Sequence, residues 1–279
     1  MLKITGIALS LILLALLAAV LTGGRSFSKE TGAQVEKMLA PCRDMKQETV
    51  TDARLKGLPA PVRRYMKKTG VVGKPAALTA RLEQKGLYRL KPDARWMPFS
   101  SRQYFTVPVP GFIWSARMKV APLMHITVRD SFYQCRGRML GKLMSLVKVV
   151  EGEGKEIDQG TFLRFLSEGM WVPSGFLASS VRWEAVNDRS ARAVYTCGGE
   201  SVTGTFFFDE RDDIAGFTTL RYGDFGGKQR LEKWEVKVTG HAELGGLRLP
   251  VKADVIWKLK EGDFHWMSIE VTGVRYNIH

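Results

Sequence analysis

The sequence predicts an α+β protein: one large curved antiparallel sheet, half-barrel or barrel-like, with one or two covering helices, preceded by an N-terminal transmembrane helix. Three observations lead there. An uncharged apolar run of 18 residues, positions 4–21, opens the chain. From residue 76 onward apolar and polar residues alternate with period two, the print of antiparallel strands with one wet face. Within residues 55–279 only the stretches at 59–69 and 160–169 carry clear helical spacing. The composition, 45% apolar and 25% charged with seven Trp, provides a substantial core and excludes disordered, collagen-like and disulfide-dense chains.

The apolar run spans roughly 27 Å as a helix at about 1.5 Å per residue, close to a bilayer core of about 30 Å. It is longer than the apolar region of a secretory signal, and no small-x-small step precedes Arg25. A signal-anchor is therefore expected, with a cleaved signal and a buried core helix as the competing readings. The segments expected are an anchor at 1–24, a partly helical linker at 25–54 and a single antiparallel α+β domain at 55–279. Net charge is uneven: +1 over 1–24, +6 over 25–70, +11 over 71–150 and −4 over 151–279, within a total of +14. The basic surplus lies nearest the anchor, where Lys and Arg attract anionic headgroups. The competing reading is a solvated face. No helix-turn-helix, zinc finger or ribonucleoprotein motif accompanies it, so no nucleic acid is expected as partner. A literal positive-inside count favours a cytoplasmic domain, yet large domains cross largely regardless of charge. The expectation is a single-pass protein whose domain is extracytoplasmic or periplasmic.

In the linker, Val35, Met38 and Leu39 share a narrow helical stripe over 31–48. Residues 59–69 form a helix with Pro in its first turn and Gly70 after its end. Val62, Tyr65 and Met66 make its buried face. Strands are expected at 77–84, 102–107, 112–120, 125–132, 181–186, 192–197, 202–208, 214–222, 234–239, 251–260 and 264–272. Glu261, Gly262 and Asp263 turn the last pair into a hairpin. A helix is expected over 160–169, with a short helical turn at 174–179. Residues 138–150 fit helix and strand equally well. Cys42, Cys135 and Cys197 form no evident framework or metal motif. They read as small buried residues, and a Cys135–Cys197 bridge is open to an exported domain.

Several strings recur in a known pattern: Leu58-Pro59-x-Pro61-Val62-x-Arg64-Tyr65, Trp96-x-Pro98-Phe99, Gln103-x-Phe105 and Gly111-Phe112-x-Trp114-x-Ala116-Arg117. Asp130-x-x-Tyr133 follows, then Leu163-Arg164-Phe165-Leu166-x-Glu168-x-x-Trp171-x-Pro173 and a closing Tyr276-Asn277. Over residues 55–278 the chain resembles a bacterial and archaeal family known only as a domain of unknown function. It departs from that pattern at Phe165, where a Tyr is expected, and at Gly175-Phe176-Leu177 in place of Ala-Leu-Leu. The resemblance implies no activity. At fold level the element order is also similar to the half-barrel lipoprotein carriers of the bacterial envelope.

Glu168 is the foremost candidate for chemistry. It ends a helix, four residues after Arg164 and three before Trp171, where desolvation raises a carboxyl pKa. The structural alternative is an ion pair with Arg164. Asp130 is the odd residue on the apolar side of its strand and needs a partner; Arg117 on the neighbouring strand is the one expected. Convergence of Asp130 and Glu168 would place paired carboxylates for hydrolysis. His125, His241, His265 and His279 are too scattered to hold a metal and read as sheet residues. Neither metal nor cofactor is expected. The aromatics, Trp114 and Trp171 among them, are foremost core. If the helix covers less apolar surface than the sheet presents, the rest forms a pocket for an apolar or amphipathic ligand, such as a lipid chain. Trp114, Arg117, Asp130, Glu168 and Trp171 are its expected contacts. The leading expectation is thus a membrane-anchored ligand binder at the cell envelope, without enzymatic activity. The alternatives are a hydrolase-like enzyme using Glu168 with Asp130 or Arg117, and a membrane-surface scaffold.

Overall fold

The computed structural model describes residues 2–278; Met1 and His279, the latter read above as a sheet residue, lie outside that range. The first helix, α1 (Leu2–Leu39), is unbroken. It crosses the expected boundary at residue 24 without a bend or cap. Its first part is long and apolar enough to cross a membrane, and its leucines from Leu9 to Leu21 are exposed. From Phe27 on it carries a buried stripe of Phe27, Thr31, Val35, Met38 and Leu39, at the spacing of one helix face. That stripe includes the three linker residues singled out above.

A short helix, α2 (Ala60–Lys68), follows with Pro61 in its first turn, and Gly70 after it takes φ +72°. Val62, Tyr65 and Met66 are buried as the spacing requires. The first meander has six strands: β1 (Thr79–Tyr88), β2 (Met97–Thr106), β3 (Gly111–Ala121), β4 (Met124–Tyr133), β5 (Arg136–Leu143) and β6 (Val147–Gly152). Helix α3 (Lys155–Glu168) and a 3-10 turn at Pro173–Leu177 come next. The second meander is β7 (Val181–Asn187), β8 (Ser190–Cys197), β9 (Glu200–Phe208), β10 (Ile214–Asp224), β11 (Gln229–Leu244), β12 (Leu247–Leu259) and β13 (Gly262–Tyr276).

All thirteen strands form one antiparallel sheet in the order β6-β5-β4-β3-β2-β1-β13-β12-β11-β10-β9-β8-β7. The last strand pairs with the first, Ala80 opposite Tyr276, so the two meanders meet at mid-sheet. The sheet's twist brings its flanks around α3, which touches β4 and β5 on one side and β9 and β10 on the other. Cys135, after β4, is disulfide-bonded to Cys197, the last residue of β8, and clasps the flanks across the helix.

The open reading at 138–150 is resolved and one helix start moves, while other elements shift by a few residues at their ends. Residues 138–150 are a hairpin, because Met144 and Ser145 turn the chain with φ of 52° and 62° and β5 pairs along β4. Helix α3 starts five residues early. Glu156 and Asp158 in its first turn favour a helix N-terminus, and Asp158 Oδ1 accepts from the Gly137 N–H at 2.6 Å. At Gly137 a side chain would run into Thr161 and the Ile157 carbonyl, so the glycine lets the helix lie flush on β5.

Candidate functional site

Along its length the concave face changes character. Toward the ends of β3 and β4 nearest Gly111 and Tyr133, aromatic rings fill it. Phe132 stacks on Phe162 with centroids 4.8 Å apart, and Phe105, Phe112, Phe165 and Tyr195 continue the cluster. Toward the opposite ends, the rings stop and a cavity of about 210 Å³ remains. Its walls are mostly aliphatic or indole: Met118 and Val128 from the first meander, Val236, Val255 and Ile269 from the second. Its roof is the end of α3 and the turn after it, with Met170 and Trp171. Period-two alternation places these side chains inward. A β-bulge beside Val255 lets Trp266 and Met267 both face the hollow.

A buried charged cluster sits between the filled and hollow parts. Arg164 Nη1 donates to Asp130 Oδ2 at 2.7 Å and Arg164 Nε to Glu168 Oε1 at 2.8 Å. Glu168 Oε2 accepts from Gln103 Nε2 at 2.6 Å. Gln103 Oε1 accepts from Gln84 Nε2 at 3.0 Å, and Gln84 Oε1 accepts from Trp114 Nε1 at 2.9 Å. The Arg164 guanidinium also lies 4.7 Å from the centre of the Trp114 ring. Burial pushes the Glu168 carboxyl up from its ordinary value, and Arg164 pulls back only part of that. Arg221, also on the cavity wall, has no carboxylate partner among the described residues. Its Nε donates to the Gly160 carbonyl at 2.9 Å, its guanidinium lies over Trp234 and Trp257, and burial brings its pKa down to about 10.

Three polar atoms of this wall have no hydrogen-bond partner among the described residues: Asp130 Oδ1, Trp234 Nε1 and Trp266 Nε1. One is a carboxylate acceptor and two are indole donors, and a buried polar atom without a partner costs free energy of about 1–3 kcal/mol.

The five residues expected at a pocket divide. Trp114, Asp130, Glu168 and Trp171 all line the cavity; Trp171 Nε1 donates to the Pro250 carbonyl at 2.8 Å. Asp130 and Glu168 converge, as the paired-carboxylate reading requires, but on one arginine. Arg117 does not join them. Its position on β3 has the opposite parity to Trp114, so it faces the convex side, where Nη2 lies 3.0 Å from His125 Nδ1 in a groove beside α1. The partner of Asp130 is Arg164, not Arg117, because α3 brings its guanidinium over the strand. Gln84, Gln103 and Arg221 were not anticipated. Each sits in phase with apolar neighbours (Leu82, Phe105 and Phe217), the same signal that exposed Asp130. Trp266 carries no such signal, since its bulge breaks the parity.

Known proteins add the following. A family model described as a family of unknown function, DUF6544, matches residues 48–269, which take in the strings from Leu58 to Pro173. No curated protein matches the chain. Among solved structures, a DUF1329 family protein from Desulfovibrio piger ATCC 29098 is similar at 11% identity and a TM-score of 0.41, over 79% of this chain and 94% of that one.

Proposed function

We propose that this chain, which belongs to the DUF6544 family of unknown function, is a membrane-anchored protein that holds an apolar or amphipathic ligand in its half-barrel. The observation that carries the reading is the cavity itself, apolar in its walls and lined by residues that carry unpaired polar atoms. Each methylene buried there is worth about 0.8 kcal/mol. A ligand with a hydrogen-bond donor for Asp130 and an acceptor for the two indoles gains orientation as well. An amphipathic lipid or fatty acid derivative has that chemistry. Hydrolysis needs a carboxyl group free to move a proton, whereas Glu168 engages both oxygens and Asp130 one; binding is the reading the geometry favours.

The Cys135–Cys197 bridge supports an extracytoplasmic domain, since disulfides persist in oxidising compartments. The basic surface over 25–150 supports contact with anionic headgroups.

Four tryptophans on the wall supply the test. The full chain in nanodiscs is titrated with a fatty acid brominated on its chain, and indole fluorescence is followed. Saturable quenching is expected, and Val128→Phe, which fills the hollow, is expected to abolish the saturable part while keeping the melting temperature. Quenching that never saturates, or that is the same in both proteins, refutes the proposal.

A further inference from the structure

Helix α1 ties the position of the bilayer to the position of the sheet. It is one continuous helix, so the apolar segment leads into the docked segment with no loop between them. The docked part crosses the convex face from the β5–β6 turn, over Arg129 of β4, to Ile113 of β3 and Tyr104 of β2. Gly23 meets the β5–β6 turn: a side chain there would come within 2.8 Å of Leu146 and 2.9 Å of the Ser145 carbonyl. Further on, the Arg129 guanidinium donates to Thr31 and lies over Phe27. At the far end Val35, Met38 and Leu39 pack on Ile113 with Tyr133. The glycine contact fixes the rod against the turn at the point where the apolar run ends. Val20 and Leu21 still line the groove beside His125, at the start of β4, and residues 6–18 before that contact are exposed, free of the sheet.

That same end carries the domain's most exposed apolar side chains. Leu123, at the tip of the β3–β4 turn, is 95% exposed and adopts φ 61°. The left-handed region suits Gly or Asn at a tip, and a leucine there gains nothing from packing within the chain. Leu146 and Val147 lie on the adjacent turn, 40% and 61% exposed, and Leu90 is 61% exposed in the loop before β2. Arg25, Arg95 and Lys119 stand beside them. Leu90, Val120 and Val150 also line the outer part of the cavity.

We infer that the turn at Pro122 and Leu123, flanked by Leu146 and Leu90, sits in the interfacial layer of the bilayer that α1 spans. The cavity mouth is then turned toward the acyl chains. The apolar tips reach past the headgroups, and the arginines and lysine beside them meet anionic phosphates, the arrangement of an interfacial anchor. A ligand exchanging with the bilayer has no aqueous gap to cross. The docking itself rests on α1 as a membrane span and is independent of what the cavity holds.

The test places an environment-sensitive fluorophore on the full chain in nanodiscs of phosphatidylcholine and phosphatidylglycerol. Leu123→Cys is labelled at the proposed contact. Pro108→Cys, exposed beyond the other end of β3 and roughly 33 Å away at about 3.3 Å per residue, is the reference. Cys42 is buried and the other two cysteines are bonded, so the new thiol is the reactive one. With lipids carrying a spin label just below the headgroup, the fluorophore at 123 is expected to be quenched several-fold more than that at 108. Equal quenching at the two positions overturns the inference. Neither residue lines the cavity, so this outcome is read separately from fatty acid binding.

Discussion

The two ends of the half-barrel are made from the same strands and differ in what those strands carry. At the closed end, Phe105, Phe112, Phe132, Phe162 and Phe165 lie within ring contact of one another. At the open end, the same inward positions hold Met118, Val128, Val236 and Val255, which are too short to meet across the sheet. Between them lies the Arg164 cluster. The difference teaches where a curved sheet is filled by its own residues and where it is left for something else. Fold stability resides in the aromatic end, and the open end carries a hollow that packing alone does not require.

The largest effect is expected at the boundary. Arg164→Met leaves Asp130 and Glu168 buried without their shared cation, and losing one partner of a buried ion pair costs about 3–5 kcal/mol. Thermal unfolding of the full chain should show it as a clear drop in melting temperature. An exposed pair such as Arg230–Glu261 should cost no more than about 1 kcal/mol when broken. If the two losses are alike, the cluster does not bind the ends together. The next effect separates packed space from hollow space directly. Gly204→Ala adds one methyl group where it would collide with the packed Phe217 ring, and overpacking of that kind costs roughly 1–3 kcal/mol. Val128→Phe adds far more volume at the open end and should leave the melting temperature nearly unchanged. A large loss from Val128→Phe would mean that the hollow is too small or too rigid to be a site.

How much of this was legible in the sequence follows the same division. Period-two alternation located nearly every strand, and the stripe Val62, Tyr65 and Met66 located α2, because both patterns are local. Asp130 stood out because a charge in phase with apolar neighbours is a local anomaly as well. Its partner did not, since Arg164 reaches it only after α3 has crossed the sheet. The helix start at Lys155 was hidden by the permissive sequence before Gly160, and the 144–146 turn by residues that rarely take positive φ. Arg117 was misassigned by one step of strand parity: its distance from Asp130 along the chain is short, but it points through the sheet to the other side. The hollow itself depends on which short side chains face one another across thirteen strands, and pairing between the first strand and the last is not written in any local pattern.

The smallest effect is the pH dependence of Glu168, and it reports how far the dryness of the closed end extends into the cluster. Burial raises this carboxyl above its unfolded value, opposed first by the charge of Arg164 and then by hydrogen bonds from Arg164 and Gln103. The folded chain therefore keeps a proton on Glu168 at pH values where the unfolded chain has released it. Such a group adds nothing to stability well above its folded-state pKa, and its contribution grows as pH falls through that value toward the ordinary carboxylate range. Glu168→Gln removes the titration. The melting temperature of the native protein, measured against that of the variant, should therefore rise as pH is lowered toward the ordinary carboxylate range. A difference that stays flat or runs the other way would mean that Arg164 offsets the desolvation in full. Glu168 would then belong electrostatically with the wet, open end rather than with the aromatic one.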